Sequence, residues 1–150
     1  EDKMEALLTS EFVGRIGCCH NEEVYIVPTS YAYDGQYIYV HTHEGMKMDL
    51  MRKNPNVCFQ VDNMKDMAHW KSVIAWGHFE ELTEKSDREK AFKWLLNRRL
   101  PLNSSVTTHL GKSWPFSTDN IEDVDGIFFR IALTKKTGRC ESNNASTYTV

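Results

Sequence analysis

A short segment of this chain combines the groups that a phosphate site needs: Thr42-His-Glu-Gly-Met-Lys47. The pattern predicts a strand that ends at a sharp glycine turn, followed at once by a helix. The first N–H groups of a helix have no partner within it, and the helix dipole favours anions there. Lys47 adds a positive charge, and Gly45 lets a ligand approach the backbone. Taken alone, the residues leave two interpretations open: a phosphate cradle, or an ordinary strand–turn–helix corner with a solvated lysine.

Runs of β-branched and aromatic residues predict that the elements around this segment are mainly strands. The predicted strands are Val13–Cys19, Val24–Tyr33, Gln36–His43, Asn56–Asp62, Ser72–Leu82 and Gly126–Leu133, with Gly138–Glu141 extending the last one after a turn. Asp34-Gly35 predicts a tight hairpin, Gly77 a bulge, and Pro28 an edge or bulged position, because proline cannot donate to a ladder. Tight turns imply antiparallel pairing, and a curled antiparallel sheet closes into a barrel to protect its edges. We therefore expect a mainly β protein, a six-stranded antiparallel barrel.

Three short helices accompany the strands, and they are expected at Met4–Ser10, Met46–Asn54 and Ser86–Leu100. Ser86 followed by Glu89 has the spacing of a capping box. Two segments lack a periodic pattern. Met64–Lys71 is predicted to be a loop, and Leu102–Asp125 an irregular excursion of a length that is often functional.

Composition limits the classes of protein that fit. A chain of 150 residues predicts a single domain over residues 1–150. The net charge of −3 argues against a nucleic-acid partner. No apolar run approaches the ~18 residues of a membrane span. The 4 cysteines form no C-x-x-C pair, which favours reduced thiols in a cytoplasmic protein.

Most familiar catalytic motifs are missing from the sequence. The histidines show no zinc-binding spacing, and there is no G-x-S-x-G, Walker or G-x-G-x-x-G motif. His41 and His43 share a strand face, which leaves a metal or haem ligand pair open. A third ligand is not evident, so we expect no metal site.

The order of five segments resembles the flavin-binding split-barrel superfamily of pyridoxamine-phosphate oxidase. The nearest branch in this resemblance is the nitroimidazole-resistance (Nim) type of flavin-nucleotide-binding protein. The matching segments are Gly14–Gly17, Ile26–Gly35, Tyr37–Lys47, Asn54–Phe59 and Trp70–Gly77.

The resemblance implies a homodimer that holds FMN, or FAD, between its subunits and acts on a small-molecule substrate. It implies that the phosphate is surrounded by His41, Thr42, His43, Gly45, Met46 and Lys47. It implies that the flavin ring lies along Val27, Pro28, Thr29 and Ser30, with Ser72 and Val73 approaching from the following long strand. Within the irregular excursion, Trp114 is the candidate for a lid or ring contact.

The leading functional hypothesis is therefore a flavin-dependent oxidoreductase, with nitroimidazole reduction implied by the Nim resemblance alone. The sequence identifies no catalytic acid, and His41 or His43 is the first candidate for substrate contact. Two alternatives stay open: a non-catalytic flavin-binding or storage module, and a haem-utilisation protein on the same barrel.

Overall fold

The computed structural model describes residues 2–98, 116 and 118–142. Its helices are α1 (Asp2–Ser10), α2 (Met46–Lys53) and α3 (Lys85–Asn97), with a 3-10 turn at Ile121–Asp123. Its strands are β1 (Val13–His20), β2 (Glu23–Ser30), β3 (Ala32–Tyr33), β4 (Tyr37–Thr42), β5 (Asn56–Asp66), β6 (His69–Leu82) and β7 (Ile127–Ser142). Among the described helices, none has the length and hydropathy needed to cross a membrane.

The strands form one antiparallel sheet in the order β2-β1-β5-β6-β7-β4-β3. The predicted mainly β, antiparallel barrel is confirmed, although the described sheet has 7 strands rather than six. The predicted strand Val24–Tyr33 divides at Tyr31 into β2 and β3, which lie at opposite edges of the sheet. Since one residue joins them, the two edges lie close together, and β2 contacts β4 across what we call the seam.

Tyr31 holds this crossing in place. Its side chain is 1% exposed and stacks edge-on against Phe59, with ring centroids 4.8 Å apart. Its hydroxyl donates to the carbonyl of Leu8 at 2.8 Å, which fixes α1 beside the crossing. The buried aromatic anchor explains why the strand ends where its sequence pattern continues.

The two tight hairpins follow from local turn chemistry. Asn21 and Glu22 connect β1 to β2 with φ values of 49° and 66°, as a type I′ turn requires. In the second hairpin the Asp34 carboxylate accepts from the N–H groups of Gln36 and Tyr37, at 2.9 and 2.7 Å. The loop residues are Gly35 and Gln36, because the Asp34 N–H donates to the Tyr37 carbonyl. The predicted hairpin is thus confirmed, one residue further along the chain.

The segment Met64–Lys71, predicted as a loop, is instead the tip of the β5–β6 hairpin. The turn residues are Met67 and Ala68, and the Asp66 carboxylate accepts from the Ala68 N–H at 2.8 Å. The prediction was wrong because this tip extends beyond the barrel. Its residues lack a buried face and therefore the alternation that marks a strand.

Two further expectations are corrected. The last strand continues through Gly138 without the predicted turn, and β6 pairs with it along its whole length. The α3 helix has Glu84, rather than Ser86, at its N-cap position, and no side chain caps it. Because the N-cap position lies two residues earlier than predicted, Ser86 is inside the first turn and the predicted capping box does not form. The bulge predicted at Gly77 is confirmed.

The sheet separates two hydrophobic clusters. The barrel interior includes Ile38 and Val40 of β4, and Met48 and Met51 of α2. The second cluster lies between α3 and the opposite face of β4 and β7, and it includes Tyr39. The alternation along β4 agrees with the sequence pattern, so β4 presents one face to each cluster.

Candidate functional site

The corner between β4 and α2 has the predicted strand–glycine–helix geometry. The carbonyl of Gly45, the N-cap residue, accepts from the N–H groups of Met48 and Asp49, at 3.0 and 3.2 Å. No side chain caps the helix, so the N–H groups of Met46 and Lys47 are available to a ligand. A Cβ placed on Gly45 would meet no atom within 4 Å, so space is open beside the helix start.

A clamp formed by Arg52 with two carboxylates sits beside this corner. Arg52 donates two hydrogen bonds to Glu44, at 2.7 and 2.9 Å, and two to Glu81 of β6, both at 2.9 Å. These hydrogen bonds hold the pKa of both carboxyl groups below the usual range. The clamp matters because Glu44 directly precedes Gly45, and its free carboxylate would repel an anion at the helix start.

Lys47 is half-buried on the first turn of α2. Among the described residues no carboxylate lies within salt-bridge distance of its ammonium group. Its charge reaches the end of β1, where it counters the rise that burial causes in the pKa of the Cys18 thiol. Lys47 is therefore a cation without a carboxylate partner among the described residues, and it belongs to the same first turn as the uncapped N–H groups.

His41 is held on the second-cluster side of β4. Its Nε2 donates to the carbonyl oxygen of Asp125 at 2.6 Å, which leaves Nδ1 unprotonated in the neutral ring. The ring contacts Phe116 and Phe128, with centroids 5.1 and 4.8 Å away. Burial, which is the largest influence, lowers the pKa of His41, so the ring is neutral at pH 7. His43, by contrast, is exposed, 5.5 Å from the His41 ring.

Gly126 brings the turn after Asp125 against the same corner. A Cβ added there would lie 2.7 Å from the Thr42 carbonyl oxygen, 2.8 Å from His41 Nε2 and 3.1 Å from His43 Nδ1. Its φ of +99° also disfavours any side chain. Both constraints require glycine, and they show that the turn before β7 fits tightly against the end of β4 and His43.

The predicted ring-binding segment Val27–Ser30 lies on β2, an edge strand, as Pro28 indicated. Pro28 is opposite Arg15 of β1. The Tyr31 N–H donates to the Phe12 carbonyl. In an antiparallel hairpin every second residue hydrogen-bonds to the partner strand, so the odd-numbered residues from Tyr31 back to Glu23 bond to β1. Pro28 is not one of these residues. The Pro28 carbonyl and the Ser30 N–H therefore face the seam and are free to meet a ligand, whereas the Ser30 carbonyl accepts from Thr29 Oγ1 at 3.3 Å.

Ser72 and Val73 occupy a different environment. Val73 is 2% exposed and belongs to the barrel interior, so its side chain is closed to a ligand. Ser72 faces outward, where Gln60 Nε2 donates to its hydroxyl oxygen at 3.4 Å. Two strands, β1 and β5, separate β6 from β2. At about 4.8 Å per strand spacing, this places Ser72 about 14 Å from the β2 segment.

Within one chain, then, the structure brings β2 and the β4–α2 corner together at the seam and leaves Ser72 and Val73 apart. Trp114 lies outside the described residues. The described part of the chain contains no group of three or more potential metal ligands, and His41 Nε2 is already engaged by Asp125.

Sequence reasoning missed two parts of this corner, the Arg52 clamp and the Asp125–Gly126 turn. Glu44 and Arg52 lie about two helical turns apart, so the sequence alone gives only a weak indication that they pair. Asp125 and Gly126 approach His41 only through the pairing of β4 with β7, which no local pattern specifies.

The antiparallel split barrel, with α1 and α2 packed on its interior cluster and α3 on its outer face, defines the structural class of this protein. The model of the pyridoxamine 5'-phosphate oxidase family matches residues 1–139. The chain therefore belongs to the pyridoxamine 5'-phosphate oxidase family.

Similar proteins agree with this assignment. An uncharacterised Rhizobium meliloti protein, RA0666, is 31% identical over 102 residues, which are 67% of this chain and 68% of that protein. The crystal structure of an FAD-binding protein from Mesorhizobium loti superposes with a TM-score of 0.70 at 30% identity, covering 94% and 93% of the two chains. A candidate 5-nitroimidazole antibiotic resistance protein from Bacteroides thetaiotaomicron has a TM-score of 0.68 at 16% identity, covering 92% of this chain and 82% of its own. The last likeness supports the fold alone.

Proposed function

We propose that this protein binds a flavin nucleotide and that the β4–α2 corner holds its phosphate. One observation carries the proposal: uncapped N–H groups at the start of α2 lie beside Lys47, with open space at Gly45. Helix N-termini bind anions through such groups, and a lysine adds a charge-assisted contact. The Arg52 clamp supports it by holding the Glu44 carboxylate.

The residues at the seam fit the rest of such a cofactor. The Pro28 carbonyl and the Ser30 N–H offer polar groups to the edge of a ring, next to the corner. The Mesorhizobium loti relative, described as FAD-binding, supports a flavin as the ligand and makes FAD as good a candidate as FMN. When bound, a flavin supplies hydride and electron transfer, while the protein supplies binding, orientation and electrostatic tuning.

We further propose that the protein acts as a homodimer with the flavin between subunits. Its sheet carries an outward apolar face on β1, β2 and β6: Val13, Val24, Ile26, Ile74 and Trp76, each between 38 and 70% exposed. A groove of about 460 Å³ on this face runs beside Ile26 and Trp76. Apolar patches of this kind mark protein interfaces. A second copy on this face would supply the Ser72 that one chain keeps away from its own β2 segment.

For activity, we propose an oxidoreductase, in which His43 contacts the substrate. His43 is exposed beside the corner, whereas His41 Nε2 is engaged by Asp125. More specifically, we propose that the substrate to be reduced is a nitro compound. The support for this step is the resemblance of the sequence motifs to the Nim type. A cytoplasmic location remains our expectation, supported by four free cysteines.

The binding proposal is tested by a visible absorption spectrum of the purified protein, followed by mass analysis of any released cofactor. A yellow protein that releases FMN or FAD supports it. A colourless protein that cannot be reconstituted with either flavin contradicts it, and a Soret band in place of flavin absorbance selects the haem alternative.

The phosphate assignment is tested by comparing Lys47→Ala with Lys53→Ala, an exposed lysine at the other end of α2. Losing a charge-assisted contact costs about 1.5–3 kcal/mol, so flavin affinity of Lys47→Ala should fall more than about tenfold. Lys53→Ala should retain the affinity of the unaltered protein. Equal affinities for the two variants would place the phosphate elsewhere.

The dimer is tested with Ile26→Asp, which puts a carboxylate on the outward apolar face. Met67→Asp is the matched control, because Met67 is 83% exposed at the β5–β6 tip. Sedimentation should show a monomer for Ile26→Asp and a dimer for Met67→Asp. An unaltered protein that sediments as a monomer would contradict the interface.

Catalysis is tested by oxidation of NADH or NADPH with a nitro compound as acceptor. Turnover by the flavin-loaded protein supports an oxidoreductase. Bound flavin without turnover with any acceptor favours the non-catalytic binding module.

A further inference from the structure

The outward apolar face of the sheet has two ridges with a groove between them. At the level of Trp76 on β6, the residues paired across the sheet are Cys58 of β5, Gly17 of β1 and Ile26 of β2. The two outer positions carry large side chains, and the two inner positions carry a small one or none. All four residues line the groove of about 460 Å³. The ridges are therefore β2 and β6, and β1 and β5 form the floor of this outward groove.

The chain cannot raise this floor with a side chain of its own. A Cβ on Gly17 would lie 2.6 Å from Cys58 Sγ, which belongs to a short side chain with little freedom to move away. The ridges stand out beside it, since Trp76 and Ile26 are 38 and 68% exposed. A second copy completes this geometry, because two-fold symmetry gives each copy both a ridge to insert and a groove to receive one.

Two directions of a two-fold axis keep the strands of both copies aligned, as stacked sheets require. An axis across the strands places every strand over its own copy, so the two β6 ridges collide. An axis along β5, the central one of the strands β2-β1-β5-β6-β7, places β6 over β1 and β7 over β2. Each β6 ridge then enters the groove of the other copy. Only this second direction gives the close packing that the core of a stable interface has.

We infer that two copies of this chain pack with the two-fold axis along β5, so that Trp76 of each copy lies over Gly17 of the other. This arrangement rests on the proposed homodimer and specifies how it is built. Sheets packed face to face lie about 10 Å apart, a gap that a tryptophan side chain fills. The same axis brings Ser72 opposite Val13, which pairs with Ser30 of β2. Ser72 thus arrives beside the β2 segment of the other copy, as the proposed flavin site requires.

The charged groups near the axis enter such an interface as a neutral pair. Asp62 lies on β5, so the Asp62 carboxylates of two copies approach one another in this arrangement. Arg15 of the same chain donates to Asp62 at 2.8 Å and to Gln60 at 3.1 Å. The ion pair balances each carboxylate before the two copies meet, which removes the repulsion between them.

The ridge is tested by comparing Trp76→Ala with Trp94→Ala, because the two tryptophans have nearly equal exposure, 38 and 40%. Tryptophans at the centre of an interface are hot spots, so Trp76→Ala should raise the dissociation constant of the dimer at least about thirtyfold. Trp94 lies on α3, outside this face, and its variant should dissociate like the unaltered protein. Sedimentation equilibrium measures all three constants. A Trp76→Ala dimer as tight as the unaltered one would overturn the inference.

The direction of the axis is tested by reversing the charge at one position. With the axis along β5, Ile74 faces Arg15 of the other copy, because both pair with Gln60. Ile74→Glu should therefore dimerise at least about tenfold more tightly than Ile74→Arg, which opposes two cations. With the axis across the strands, position 74 faces β6, whose outward positions from Ser72 to His78 carry no lysine or arginine. Equal dissociation of the two variants, including two monomers, or the reverse order would overturn the inference.

A wrong arrangement is distinguishable from a wrong proposed function. A dimer that Trp76→Ala leaves intact keeps the proposed homodimer and removes this packing. An unaltered protein that sediments as a monomer removes both. Flavin binding is measured separately by absorbance, so a colourless protein that still dimerises through Trp76 keeps this packing and removes the flavin site.

Discussion

The β4–α2 corner and the groove between α1 and the paired strands β6 and β7 both have lysines beside them, yet they are built in opposite ways. The corner presents backbone N–H groups and a half-buried lysine, with the neighbouring Glu44 clamped by Arg52 and the turn at Gly126 fitted against it. The groove presents the flexible side chains of Lys3 and Met4 beside Gly138 of β7. The difference indicates that the corner is suited to one fixed group, such as a cofactor phosphate, whereas the groove is adaptable.

The largest expected effect is on the free energy of unfolding, when the glycine of each region is replaced by alanine. Gly126→Ala combines a positive φ with a Cβ 2.7 Å from a backbone oxygen, so it should lower the free energy of unfolding by roughly 2–4 kcal/mol. Gly138→Ala would approach closely only the flexible side chain of Met4, with the Ser72 carbonyl oxygen at an ordinary contact distance of 3.6 Å, and should cost less than about 1 kcal/mol. Urea unfolding measures both values.

Gly35→Ala is the control that isolates backbone strain. Gly35 shares the φ of +99°, but its Cβ would meet nothing within 4 Å. We expect a cost of about 1–2 kcal/mol, between the other two variants. If Gly126→Ala cost no more than Gly35→Ala, the corner would be as adaptable as the groove.

A smaller effect is expected from the clamp. Arg52→Gln should free the Glu44 carboxylate beside the helix start and weaken flavin binding about two- to fivefold. Adding Glu44→Gln to that variant removes the repelling charge and should restore affinity, as titration by fluorescence quenching would show. A double variant no better than Arg52→Gln would mean that the clamp acts on structure rather than charge.

Salt tests how the corner would hold an anion. Raising the ionic strength from about 0.1 to about 1 M shortens the Debye length from about 10 to about 3 Å. Flavin affinity should change little, because the donors of the corner are backbone N–H groups and the half-buried Lys47, which are screened less than exposed charges. A titration in which most of the affinity is lost at the higher ionic strength would contradict this expectation.

The smallest effect is a pH dependence at His41. Burial holds its folded pKa below 6.5, so the neutral ring contributes stability that is fully present above pH 6.5. That contribution falls as the pH drops through the folded pKa. His41→Gln keeps a donor for Asp125 but cannot titrate, so its stability should fall less steeply below pH 6.5. His78→Gln, at an exposed position on β6, serves as the control and should keep the steeper slope.

The sequence predicted those parts of the molecule that depend on local chemistry. Residues adjacent in the sequence were enough to predict three features: the alternation along β4, the turn at Gly35 and the uncapped start of α2. The Arg52 clamp, the Asp125 contact and the groove were not, because each joins segments far apart in the chain. The Met64–Lys71 tip was missed for a related reason, since an exposed hairpin has no buried face to impose a pattern.

The pairing of β4 also has a consequence for the order in which the chain folds. Thr42 pairs with Ile127, and apart from the two-residue β3, β4 has no other strand partner in the described sheet. Such distant pairing is formed late and slowly in folding. During synthesis β4 therefore cannot complete its pairing until β7 has left the ribosome, and β7 is almost the last described segment of the chain. A nascent chain with α2 already formed would still lack a fixed corner, and cofactor loading should follow the pairing of β4 with β7.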